Sequence, residues 1–316
     1  MSTAYNDRFY KTVIDASNNI IAVGSKGESS SDLDAVIYKF DQSGNLLWSD
    51  IPAKSSNTDG IYGVVTDKIG NIYITGQFYS SAFGNKIYSN GSCDIFIAKY
   101  NAGGALLWAK NAGGSDEDYG SNIALDDAGN VYIVGFFNGT AYWDGILKTS
   151  STQGDMFIAK YDNNGNAKWV RTGDVGENNY LSGIGVDKSG NSYVSFMFSG
   201  YVHFEGATTI SSSGEEDMFL IKYDNAGNFK WIRTAGGSGE DGGNDTTIDG
   251  DGNILIGGYF SNVAKFENKS LTAHGTVDIF SAKYSPDGYL IWVKQFGGTG
   301  SQSAWGVSTD EKSNCY

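Results

Sequence analysis

Short apolar runs alternate with clusters of Asp, Asn, Ser and Gly along the whole chain, and no stretch keeps the 3.6-residue period of a helix. The stretch DMFIAKYDNNGNAKWV, Asp155 to Val170, shows the form: an apolar run, a turn cluster, and a second run that reaches a tryptophan. Such a pattern predicts strand, tight turn, strand. Near-copies begin at Asp34, Asp94, Asp217 and Asp278, so the leading aspartates step by 60, 61, 62 and 61 residues. Trp48, Trp108, Trp169, Trp231 and Trp292 keep the same steps.

A second strand, Gly-Asn turn, strand element lies between these copies: VVTDKIGNIYITGQF from Val64, IALDDAGNVYIVGFF from Ile123, IGVDKSGNSYVSFMF from Ile184 and TTIDGDGNILIGGYF from Thr246. A looser copy, KTVIDASNNIIAVG, starts at Lys11, and WGVSTDEKSNCY from Trp305 begins another. Each period thus holds two hairpins, and a repeated four-stranded unit is the sequence signature of propeller blades. The expected fold is all-β: a β-propeller of four-stranded blades, with five complete units at about 1–56, 57–115, 116–176, 177–239 and 240–300, and a sixth begun at 301–316. With strands lettered A to D outward from the axis, A ends at the Asp of D-x-x-G-N and D carries the Trp. Small residues four places before that Asp (Gly63, Asn122, Gly183, Asp245, Gly306) suit a crowded axis.

Composition agrees with short strands and tight turns: 44 Gly, 2 Pro and 14% aromatic residues in 316. A net charge of −14, from 36 acidic and 22 basic residues, argues against nucleic acid and anionic membrane surfaces as partners. No apolar run is long enough for a membrane-spanning helix, so no membrane insertion is expected, and the start MSTAYNDRFY lacks a signal peptide's apolar core. Cys93 and Cys315 form no disulfide framework and are read as unrelated thiols.

The repeat D-x-F-x-A-K-Y-D-x-x-G-x-x-x-W, with FFNGTAYW and MFSGYVHF between its copies, resembles the SBBP family of bacterial β-propeller repeat proteins along essentially the whole chain. The resemblance implies an exported or cell-surface propeller. Its first unit departs from the pattern, lacking the second Phe and carrying the short connection GSKGESSSDLD. The family's name implies seven blades, so the chain reads as part of a longer propeller, a closed five-bladed ring being the alternative.

The repeated Trp residues are expected to fill the wedges between blades. Lys39, Lys99, Lys160, Lys222 and Lys283 are expected to pair with the turn aspartates, since a charge sandwiched between sheets must be paired. DGDGN, with Asp249 and Asp251, superficially resembles the start of a calcium loop but lacks the bidentate Glu, which leaves it a weak metal candidate. His203 and His274 show no partners for a zinc or catalytic site. No nucleophile, base and orienter set is legible.

The tight turns are uniform from unit to unit, whereas the D–A and B–C connections vary, and variable loops on a rigid scaffold are where binding resides. The ligand-binding candidates are therefore Asp116, Glu117 and Asp118 in GGSDEDYG, Glu240 and Asp241 in GGSGEDGG, and Tyr142 with Trp143 in a B–C insertion, which also carries His203, Phe204 and Phe266 in other units. The acids would attract a cation or a basic protein patch, and the rings would offer stacking area. The expected function is a non-enzymatic binding or scaffolding module for a glycan or a protein. The alternative is an enzyme, either a polysaccharide lyase or hydrolase or a quinoprotein-like oxidoreductase, with its site on that loop face.

Overall fold

A computed structural model describes residues 7–27, 29, 32–151, 154–174, 182–310 and 312–316. Every regular element among them is a β-strand, and the strands pair antiparallel. The chain divides into two compact units, one ending at Val170 and one starting at Arg171.

In the first unit, β1 (Arg8–Ile14), β2 (Ile20–Gly27), β3 (Leu33–Phe40) and β4 (Leu46–Ala53) pair consecutively. The sequence dictates this meander, because each connection is either a tight Asp-to-Asn turn, Asp15–Asn19 or Asp41–Asn45, or a short loop. In the next repeat β5 (Gly60–Thr66), β6 (Ile72–Ala82), β7 (Ile87–Tyr100) and β8 (Leu106–Gly114) follow the same order. The third repeat holds β9 (Tyr119–Leu125) and β10 (Val131–Phe137), a small hairpin of β11 (Thr140–Trp143) and β12 (Ile146–Thr149), then β13 (Asp155–Tyr161) and β14 (Ala167–Asp174). The unit boundary falls within β14.

The second unit repeats that plan. It runs β15 (Ser182–Val186), β16 (Ser192–Phe198), β17 (Tyr201–Phe204), β18 (Ile210–Ser211), β19 (Asp217–Tyr223) and β20 (Phe229–Gly237). Then come β21 (Asp241–Ile248), β22 (Ile254–Phe260), β23 (Val263–Phe266), β24 (Lys269–Thr272), β25 (Asp278–Tyr284) and β26 (Leu290–Phe296). After β26 the described residues form a turn around Asp310, closed by reciprocal backbone bonds between Ser308 and Tyr316.

The turns are built alike. In the Asp126 turn, one carboxylate oxygen accepts the backbone N–H of Ala128 and Asn130, and the other accepts the Asn130 side-chain amide at 2.7 Å and the Tyr132 hydroxyl. The strand-C lysines reach these turns as expected. Lys39 pairs with Asp15 at 2.8 Å, Lys160 with Asp126 at 3.7 Å and Lys283 with Asp249 at 2.6 Å. Lys99 instead bonds the Asn163 side chain, and Lys222 the Pro286 carbonyl. Although burial opposes ionisation of Asp15, the hydrogen bonds from Lys39, Asn19 and Ser17 prevail and lower its pKa to about 2.

The core lies between the sheets of neighbouring repeats. Ile21, Val23 and Ile37 pack with Ile74, Phe96 and Tyr100 in the first unit, and Met218 and Leu220 pack with Ile256, Phe280 and Tyr284 in the second. Burial of both sheet faces accounts for the nearly unbroken apolar runs of the inner strands.

Candidate functional site

The connections between strands B and C are not free loops. Each inserted hairpin pairs with the end of the preceding repeat's strand D: Ala141 opposite Gly114, Phe204 opposite Gly173, and Phe266 opposite Ala235. Side chains in these hairpins alternate in and out, as a strand requires. Trp143 therefore points inward, fully buried, with ring centroids 5.0 Å from Phe137 and 5.2 Å from Phe157. The expectation that it offers stacking area is thus corrected: Trp143 is core, and Phe204 and Phe266 are buried at the same register position. Tyr142, one place earlier, is exposed.

The acidic loop after β8 divides in a similar way. Asp116 and Glu117 are exposed, but Asp118 is fully buried. Its carboxylate accepts the backbone N–H of Gly114 at 2.7 Å and of Asn138 at 3.0 Å, tying the loop to the hairpin entrance. In the second unit Asp241 does the same with Gly237 and Ser261, while Glu240 stays exposed. Burial pushes Asp118 up to about 7 and Asp241 up to about 7, against the pull of those N–H groups, and nearby Asp94 and Asp217 respectively add to the rise. Asp118 and Asp241 therefore belong beneath the acidic rim and not on it. Sequence could have signalled this, because Asp59 occupies the equivalent place, accepts the N–H of Tyr79, and is buried too.

Above Asp118 lies an open cleft of about 620 Å³ lined by Ser92, Ser115, Asp116, Glu117, Asn138, Gly139 and Ser151. Backbone bonds hold its walls, with Ser92 donating to Ser115 and Asp118 donating to Cys93. The Ser115 hydroxyl donates to Asp116 at 3.2 Å, and the Asn138 amide donates to the Glu117 carbonyl at 3.0 Å. The Asp116 carboxylate also lies over Gly139, whose φ of +62 favours glycine. Of the expected residues, Asp116 and Glu117 line this cleft; Tyr142 does not, and Glu240 and Asp241 lie in the other unit. The serines and Asn138 were missed, because single hydroxyls in Ser-rich loops give no sequence signal.

The weak metal candidates separate as well. Both oxygens of Asp249 are engaged, by Asp251 and Asn253 of its turn and by Lys283, and Asp251 is exposed. His203 bonds Thr209, and His274 lies 3.2 Å from the Asp278 carboxylate beside Gln295. Among the described residues no helix is long and apolar enough to cross a membrane. Cys93 is buried and Cys315 exposed, and both are free thiols.

Comparison with known proteins supports the reading of the repeat. Residues 107–135 match the family model SBBP, the beta-propeller repeat. An uncharacterized WD repeat-containing protein, L264 of Acanthamoeba polyphaga mimivirus, is 25% identical over 234 residues, covering 62% of this chain and 17% of that protein. The regulatory protein FlaEY of Caulobacter vibrioides is 24% identical over 331 residues, covering 94% of this chain and 33% of its own. The chain thus spans a third or less of the length of these relatives. Among solved structures, a member of the duf4221 family from Bacteroides vulgatus aligns over 92% of this chain and 83% of its own, at 11% identity and a TM-score of 0.44.

Proposed function

We propose that the protein is a β-propeller of four-stranded blades, five complete and a sixth begun, that serves as a non-enzymatic binding module of a secreted or cell-surface bacterial protein. Consecutive pairing of four strands within each repeat supports the blade reading, and the SBBP match supports the propeller. Export rests on the family resemblance alone.

The cleft above Asp118 carries the functional reading. Its lining combines three serines, one amide and two carboxylates, a set that exchanges hydrogen bonds with a hydroxyl-rich ligand such as a glycan. An enzymatic reading would need a carboxyl group of raised pKa facing the cleft. Two carboxyls of raised pKa next to the lining segments, Asp94 and Asp118, are buried, and Asp118 spends both oxygens on backbone N–H groups. That arrangement favours binding over acid–base catalysis. A glycan array probed with the protein, followed by calorimetry on Asp116→Asn and Glu117→Gln, tests the proposal. Retained affinity in both variants, or turnover of a polysaccharide, would defeat it.

A further inference from the structure

A second carboxyl lies beneath the acidic loop. Asp94 on β7 is fully buried, as Asp118 is. Its Oδ2 accepts the backbone N–H of Asn90 at 3.0 Å and the Asn90 amide at 2.9 Å, whereas its Oδ1 is buried with no hydrogen-bond partner among the described residues. Gly113, at φ +145, brings the two acids together: the place of its missing Cβ lies 2.8 Å from that Oδ1 and 2.8 Å from the Asp118 Oδ2. This same Asp118 oxygen accepts the Gly114 N–H. The second unit repeats the arrangement. Asp217 Oδ1 is buried without a partner against Gly236, at φ +152, its Oδ2 accepts the Ser213 N–H, and Asp241 Oδ2 accepts the Gly237 N–H.

The first repeat meets the same need with a cation. Lys54, spaced from Asp34 as Gly114 is from Asp94 and Gly237 from Asp217, places its ammonium 2.9 Å from the Asp34 carboxylate. Gly114 and Gly237 bring no charge. The groups that act on Asp94 and Asp118 are the neutral amides of Asn90 and Asn111, the acid Asp116, and the Cys93 thiol, which the Tyr79 phenol and Glu117 influence in turn. On β11, opposite Gly113, the Tyr142 phenol is exposed. None of these groups is a cation, so a proton is what neutralises the buried oxygen.

We propose that Asp94 and Asp118 hold one proton between Asp94 Oδ1 and Asp118 Oδ2, that this proton latches the walls of the cleft, and that Asp217 and Asp241 form a second such latch. The latch acts through Asp118, whose oxygens tie Gly114, at the root of the Ser115–Glu117 wall, to Asn138, another lining residue. Opening that tie exposes both acids to water, where both release their protons to solvent, while the closed pair retains one. Closure is therefore favoured while the pair is protonated and weakens as pH rises through its titration. The bearing of the latch on a ligand rests on the binding role proposed for the cleft; the latch itself does not.

Hydrogen exchange of the Gly114 and Asn138 amides in the free, whole chain tests this, read by NMR together with the Asp Cγ shifts. After correction for the ordinary base catalysis of exchange, opening should increase from about pH 4 to 7, by about tenfold per pH unit for each proton released, and level off above. Asp94 and Asp118 should report the same two titration steps, since an interacting pair titrates as one system. Asp94→Asn mimics the protonated pair: its NH2 takes the place of the Oδ1 proton and donates toward Asp118, while its amide oxygen still accepts from Asn90. It should keep Gly114 and Asn138 protected across the same range and lower the Asp118 midpoint by about one pH unit or more, because the like charge beside it is gone. Asp217→Asn should do the same for Gly237 and Ser261 and leave Gly114 unchanged. Separate single-step titrations of Asp94 and Asp118, or an Asp94→Asn chain whose opening rises with pH as in the wild type, overturn the proposal.

Discussion

Gly165 lies on the indole of Trp108, so close that a Cβ on the glycine would stand 3.0 Å from a ring carbon, while the indole N–H bonds the Asn163 carbonyl in the same turn. Conservative enlargement of that glycine therefore tests whether the contact stabilises the first unit. Gly165 also has φ +80, where a side chain is strained. Gly165→Ala should cost about 2 to 3 kcal/mol, combining backbone strain with overpacking. Gly145 has φ +89 but open space around it, so Gly145→Ala should show the strain alone, about 1 kcal/mol. Urea melts that give equal losses at both positions would remove the indole from the account.

Lys39 and Asp15 make a buried pair 2.8 Å apart, with side chains 3% and 2% exposed. Lys39→Met leaves Asp15 as a buried carboxylate without its cation and should cost about 3 to 5 kcal/mol. Adding Asp15→Leu should restore part of the loss, because the unpaired charge then disappears. A double variant less stable than Lys39→Met in the same melts would show that the Asp15 turn bonds outweigh the pair.

Much of this was legible in the sequence, for one physical reason. Tight turns and inner strands are dictated locally, so the Asp126 turn and the Lys160 partner follow from the repeat itself. Trp143 was misplaced because TAYW was taken as loop, although Trp143, Phe204 and Phe266 share the fourth place of segments that alternate polar and apolar. That alternation is the mark of a strand and could have been recognised. Asp118 was misplaced because an acid in a loop looks exposed by default, and only the backbone N–H groups of Gly114 and Asn138 make its burial tolerable. The cleft itself joins residues from separate connections and leaves no continuous pattern to read.

Asp116 and Glu117 are exposed on the cleft wall, so removing their charge should separate binding from stability. Asp116→Asn with Glu117→Gln should shift stability by no more than about 0.5 kcal/mol, as exposed positions generally do. Affinity for a basic or hydroxyl-rich ligand should fall on the order of tenfold for each lost charge-assisted hydrogen bond. Paired calorimetry and thermal melts check both halves. A large loss of stability without loss of binding would make these side chains structural.

The buried carboxyls give the protein an unusual pH dependence. Asp118 and Asp241 are raised to about 7, and Asp59 and Asp94 to about 6, burial being the main cause in each. An ordinary aspartate titrates near 3.8, so between that value and 7 the folded state holds protons that the unfolded chain has released. Their contribution to stability is complete below pH 3.8 and is lost as pH rises through 6 and 7. Asp15, lowered to about 2, acts oppositely: its contribution is present above 3.8 and is lost as pH falls toward 2. Tm should therefore be highest near pH 4, decline from there to about pH 7 and level off above it, with the carboxyl groups beneath the loops responsible. Asp118→Asn removes one titrating group and should flatten that decline even though it lowers Tm overall, since the two backbone N–H groups bond different oxygens and the amide puts an NH2 donor in place of one of them. A wild-type profile that is level or rising from about pH 4 to 7, or an Asp118→Asn profile as steep as the wild type, would show that Asp118 stays ionised across that range and that its two backbone bonds outweigh its burial.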